Sequence, residues 1–233
     1  MRRLHKVRLL TVLFILCLAS VAWAGSQQTS STTGSTLITR ARYILNEDTA
    51  SRWTDTELLS YVNDGIIDIS SKTLCLENSE NLTLATNTRE YSLSGNYFQI
   101  ETCMYDDGTN QTVGLTRCTP RDAGHIEEDA GQPLRWYLWN NKIGVDPEPD
   151  STASGNTVTV YYYERPSTIA ASGTNPLPAH YDELLVEYVV AQALRADGKY
   201  AKAALHWAIY RMELDRYRVD FNTQVKESED LLH

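Results

Sequence analysis

Apolar positions along this 233-residue chain change their period several times, and the changes divide it. Residues 9–18 are almost continuously apolar, whereas residues 25–36 contain only glycine and small or amide polar side chains. From Leu37 the period becomes helical, and Leu37, Ile38, Ala41, Ile44 and Leu45 predict a short amphipathic helix. Residues 46–52 interrupt it. Thr54 and Glu57 then have capping-box spacing, with Trp53 and Leu58 at the two positions of a hydrophobic staple. Leu58, Val62, Ile66 and Ile69 continue that helix as one stripe to Lys72.

Between residues 82 and 166 the texture becomes short runs rich in Thr, Tyr, Val and Ile, separated by turn residues, which predicts antiparallel strands. The expected strands are 90–93, 97–105, 113–119, 134–139, 142–145 and 157–165. In the last, Val158, Val160 and Tyr162 share one face and Thr159, Tyr161 and Tyr163 the other. From Pro178 the helical period returns. Tyr181, Leu184, Leu185, Tyr188 and Val189 predict one helix, and Asp197-Gly198 ends it. Tyr200, Ala203, Trp207, Tyr210, Leu214, Tyr217 and Phe221 then follow a heptad-like seam, so the two helices should form an antiparallel hairpin. The expected fold class is α+β, with N-terminal helices, a C-terminal antiparallel helical hairpin, and an antiparallel β-rich region inserted between them.

Charge sharpens this division. The net charge of −9 is a composite, because residues 1–24 hold four bases (Arg2, Arg3, Lys6, Arg8) and no acid. Residues 25–233 therefore carry 17 bases against 30 acids, or −13. A body so acidic is unsuited to gripping a phosphate backbone. A basic start, an apolar run and Ala22-Trp23-Ala24 before Gly25 give residues 1–24 the form of a cleaved signal peptide. Residues 25–36 read as a flexible linker, 37–222 as a single domain (helical at 37–72 and 178–222, β-rich at 82–166), and 223–233 as a polar tail.

Candidate chemistry is sparse. No nucleophile elbow, phosphate loop or paired-histidine zinc motif occurs in the chain. His125 with Glu127 and Glu128 reads as a solvated patch, and Asp182 and Glu183 beside His180 read as acids placed on a helix dipole. Asp146, Glu148 and Asp150 are spaced like the start of a calcium loop, but the sixth-position glycine and twelfth-position acid are missing. The aromatic seam reads as core packing in preference to a base-stacking platform. Arg211, Arg216 and Arg218 among Glu213 and Asp215 suit a solvated or subunit-facing helix side. Past Cys17 an odd number of cysteines remains (Cys75, Cys103, Cys118), which is no disulfide framework; Cys103 and Cys118 could pair, but their spacing does not require it. No catalytic, cofactor-binding or metal-binding residue is assigned.

The order of these pieces resembles the head-tail connector (adaptor) proteins of tailed bacteriophages. The resemblance rests on Arg52-Trp53-Thr54-Asp55-Thr56-Glu57-Leu58-Leu59 and the helix it opens, and on Glu90-Tyr91-Ser92-Leu93. It continues through Gly131-Gln132-Pro133 with Tyr137-Leu138 and Ile143-Gly144-Val145-Asp146-Pro147-Glu148-Pro149, then Tyr161-Tyr162-Tyr163-Glu164-Arg165-Pro166, and finally Leu177-Pro178-Ala179-His180-Tyr181. It implies a non-enzymatic virion structural protein, assembled in the host cytoplasm and joining capsid to tail. Its partners would be its own copies in a ring, expected to be dodecameric, the portal protein and tail proteins. DNA would pass without specific binding, and the mature form would touch no membrane. The signal-like start departs from that family, since a connector needs no export. It keeps open an alternative, an exported bacterial binding module in the periplasm or secreted; a secreted hydrolase stands third.

Overall fold

The computed structural model describes residues 29–47, 52–109, 112–123 and 130–230, with side chains through Arg218. The signal-like segment 1–24 lies outside the described residues, as do His125, Glu127 and Glu128.

Helix α1 (Gly34–Leu45) starts at Thr33, whose hydroxyl accepts from the Thr36 amide, and stops at Asn46 in the left-handed conformation. Helix α2 (Asp55–Thr73) begins with the expected capping box. The Glu57 amide donates to Thr54 Oγ1 at 3.2 Å, and the Thr54 amide donates to Glu57 Oε2 at 2.9 Å. Trp53 and Leu58 are both buried in one cluster, as a staple requires. Arg42, buried on α1, ties the two helices together: its guanidinium donates to the Trp53 carbonyl at 2.7 Å and pairs with Glu47 and Asp55.

The β region forms two four-stranded sheets. The first, in the order β1 (Glu77–Thr83), β8 (Thr157–Glu164), β3 (Tyr97–Asp106) and β4 (Thr112–Gly114), is antiparallel throughout. The second has the order β2 (Glu90–Ser92), β7 (Lys142–Asp146), β6 (Arg135–Trp139) and β5 (Thr116–Arg117). Two details differ from expectation. β5 runs parallel to β6, because the segment read as one strand over 113–119 divides at Leu115 and crosses from one sheet to the other. β1 was not expected at all: only Leu82 of its seven residues is a large apolar side chain, and it forms a polar sheet edge. Both sheets bury side chains in one core that includes Ile100, Cys103, Tyr105, Trp136, Ile143, Val145, Val158, Val160 and Tyr162. The inward face of β8 is the one its alternation predicts. Cys75, Cys103 and Cys118 are free thiols.

After β8 a 3₁₀ turn (Ala179–Tyr181) leads into α3 (Asp182–Ala196), and α4 (Tyr200–Asp230) returns along it. α4 continues as helix through Asp230, past the boundary at which a polar tail was expected. Helix α3 is buried on most of its surface and packs against α1, α2 and α4. Close approach of α2 to α3 depends on Gly65, where a Cβ would stand 2.5 Å from Leu185 Cδ1. The seam of α4 packs as expected through Ala203, Trp207, Tyr210, Leu214 and Tyr217. Tyr200 is instead exposed, and Phe221 lies beyond the described side chains.

The stretch expected to be a linker is docked from Thr29 onward. Thr29 bridges Pro178, Thr33 bridges Thr174, and the Ser30, Gly34 and Ser35 amides donate to the carbonyls of Leu177, Gly173 and Ala171. A polar strap of this kind needs no apolar surface when its donors find buried acceptors.

Burial pushes the Tyr181 hydroxyl and the Cys103 thiol each up to about 12, and burial with the Asp68 hydrogen bond raises Tyr210 as well. The folded chain therefore keeps these protons at pH values where the unfolded chain loses them. Their stabilisation is complete below the unfolded values, about 9 to 10, and is lost as the pH rises through the folded ones. Urea midpoints should hold level between about pH 7 and 8.5 and fall steadily above about pH 9.

Candidate functional site

The three side chains at the start of α3 go in different directions. The His180 ring packs against Tyr181 and Tyr217, with centroids 4.1 and 5.1 Å away, and burial lowers its pKa while nearby Asp182 opposes the shift. Asp182 points inward and is 6 % exposed. Its Oδ2 accepts from Ser30 Oγ at 3.0 Å and Thr32 Oγ1 at 2.5 Å, and its Oδ1 accepts from Asn175 Nδ2 at 2.8 Å. Glu183 points outward and pairs with Arg40 at 3.0 Å. A histidine and two acids adjacent in sequence therefore share no reacting centre. Asp182 is more than a helix-dipole acid: it anchors the strap.

Two carboxylates of the 146–150 segment, Asp146 and Asp150, are separately committed too. Asp146 is buried at the end of β7, paired with Arg135 at 2.5 Å and with Arg89 at 3.9 Å. Asp150 caps the following turn, where hydrogen bonds from the Thr152 hydroxyl and the Ala153 and Thr152 amides lower its pKa. Among the described residues no group of three or more His, Cys, Asp and Glu side chains is arranged to hold a metal ion.

The aromatic seam is engaged internally. Tyr188, Trp207 and Tyr210 pack edge to face at centroid distances of 5.2 to 5.4 Å. The Tyr210 hydroxyl donates to Asp68, which also pairs with Lys72 at 2.7 Å. Beside it His206 Nδ1 lies 2.7 Å from Glu187 Oε2, linking α4 to α3. Tyr188 and Tyr210 are buried, and Trp207 is partly buried against them, so these rings are taken up by core packing.

What remains open to solvent is surface suited to contact. On the outer side of the first sheet, Tyr161, Tyr163 and Met104 line a shallow groove of about 300 Å³, with Glu77 and Glu101 at its rim. Burial raises the Tyr163 hydroxyl pKa, and the two glutamates raise it further. On the helical layer, α4 exposes Leu205, Ile209 and Met212, and α1 exposes Tyr43 and Ile44. In the sequence the inner seam of α4 dominates the helical pattern. The exposed residues have their own spacing of four and three, a signal that stood in the sequence but was hidden by the stronger aromatic series. Among the described residues no helix is long and apolar enough to cross a membrane.

A family model described as SU10 adaptor protein matches residues 32–228, so the match takes in the strap from Thr32 onward, both sheets and all four helices, the last of them as far as residue 228. No curated protein matches the chain.

Proposed function

This chain belongs to the SU10 adaptor protein family of phage head-tail adaptors, and from that premise we propose that it joins the capsid portal to the tail as one subunit of a ring. The phage structural role comes with the family. The ring, its expected twelve copies, the portal and tail contacts and the passage of DNA are our reading of it. The observation that carries the proposal is the extent of the match, residues 32–228, over nearly the whole described fold.

Physical features support it. Asp146, Asp150 and Asp182, which could have suggested catalysis, are occupied in ion pairing, capping and strap anchoring. The larger exposed apolar groups lie on helix and sheet faces, where another protein can cover them. A body at −13 would repel DNA passing through a ring and keep the genome from adhering to its wall. Such a subunit would be assembled into the virion in the host cytoplasm, where free thiols persist.

The test is to co-express the full-length chain with the portal protein of the same phage or prophage and image the purified material by electron microscopy. Rings seated on portal particles are the expected result. A chain that stays monomeric and ignores portal rings would overturn the proposal.

A further inference from the structure

Helix α4 is apolar on two opposite sides. Its inner side carries Ala203, Trp207, Tyr210 and Leu214, packed on α2 and α3. At 3.6 residues per turn, Ala201, Leu205, Ala208 and Met212 fall together on the other side, with Ile209 at their edge. All five are exposed, Leu205 at 66 % and Met212 at 62 %. No charged residue interrupts this strip for about three turns. An apolar stripe on a helix normally faces a packing partner, and the outer stripe of α4 has none among the described residues of the single chain. The 4-3-4 spacing alternates small and large residues, the pattern by which one helix accepts another at close range.

The flanking charges select the occupant. From Lys199 to Arg218 the chain has five bases (Lys199, Lys202, Arg211, Arg216, Arg218) against two acids (Glu213, Asp215), within a body that is otherwise strongly acidic. Two α4 helices facing each other would bring two such basic margins together. The opposite balance occurs across the helical layer. Residues 36–64 hold five acids against three bases; Glu57 and Asp64 are exposed along α2, as is Asp55, which pairs with the buried Arg42. On α1, Tyr43 is 84 % exposed and Ile44 is exposed too. α3 packs against both α1 and α4, while α1 and α4 share at most marginal contact with each other.

We propose that the outer strip of α4, centred on Leu205 and Met212, packs on the α1–α2 flank of a second copy of this chain, around Tyr43 and Ile44. This rests on the ring reading above and gives it a contact. The joint is head-to-tail, using different surfaces on its two sides, and joints of that type close into rings or run on as filaments.

Complementation between two full-length variants tests it. Leu205→Asp with Met212→Asp disables the α4 side, and Tyr43→Asp disables the α1 side. Each should leave the circular dichroism spectrum and melting temperature near wild type, because the substituted residues are exposed in the single chain. Each alone should weaken self-association by more than about tenfold in sedimentation velocity. Mixed, the two retain one intact joint and should form a dimer and nothing larger. Tyr43→Asp assembling like wild type, or an equimolar mixture that stays monomeric, would overturn the head-to-tail contact. Rings on portal particles that survive Leu205→Asp with Met212→Asp would overturn this contact while leaving the ring reading intact. A wild-type chain that neither self-associates nor binds portal would remove both.

Discussion

Gly144→Ala is expected to destabilise the chain by about 2 to 4 kcal/mol, a large effect for one methyl group. Gly144 lies in β7 directly opposite Tyr137 of β6, and the tyrosine ring folds across it. A Cβ on Gly144 would stand 2.0 Å from Tyr137 Cζ and 2.4 Å from both Cε atoms, inside any permitted contact. The ring cannot simply lift away. It is 5 % exposed, and burial raises the pKa of its hydroxyl. Glu90, which Tyr137 Oη approaches at 3.5 Å, sits on the neighbouring strand β2. A double-mutant cycle isolates the clash. In a Tyr137→Ala background the same Gly144→Ala change should cost almost nothing, since glycine is itself unfavourable within a strand. Urea unfolding of the four proteins supplies the cycle, and equal costs in the two backgrounds would show that the ring is not the cause.

Features built from neighbours in sequence could be read before the fold was known. The capping box of Thr54 and Glu57, the Trp53–Leu58 staple and the inward face of β8 each depend on residues within a few positions of one another. Their chemistry is complete inside a short window. β1 could not be found that way. Its polar residues become a strand because β8, about eighty positions away, supplies the ladder, as in the pair Asn81 and Thr159. The crossing at Leu115 depends likewise on two sheets that do not exist until the chain folds. The candidate surfaces divide on the same ground. The outer strip of α4 is periodic and legible in principle. The groove on the first sheet is not, because Glu77, Glu101 and Tyr163 meet there only through the pairing of β1, β8 and β3. The family resemblance drew on ordered short motifs, which survive without knowledge of such pairings.

The strap is the strongest instance of long-range chemistry, and its removal is the second large effect expected. Asp182→Ala deletes the acceptor shared by Ser30, Thr32 and Asn175. The two hydroxyls belong to the strap and can return to water when it detaches. Asn175 cannot follow easily: it is 1 % exposed, and its Oδ1 also accepts from the Leu177 amide at 3.2 Å. Leaving that buried donor unmatched, together with losing the strap contacts, should cost about 2 to 4 kcal/mol. The loss should be local before it is global. Amide exchange should accelerate at Ser30, Thr32, Gly34, Ser35 and Asn175, whose protons are held within the strap or between it and the 171–177 segment. Amides of β3 and β8 should change only as far as overall stability falls. Asp182→Asn should lie between the two proteins, since its carbonyl keeps one acceptor while its amide must face a hydroxyl turned round to accept. Unchanged exchange at Ser30 and Gly34 in Asp182→Ala would mean that backbone bridges alone hold the strap. In that case Asp182 would be merely a helix-start acid, as its sequence position first suggested.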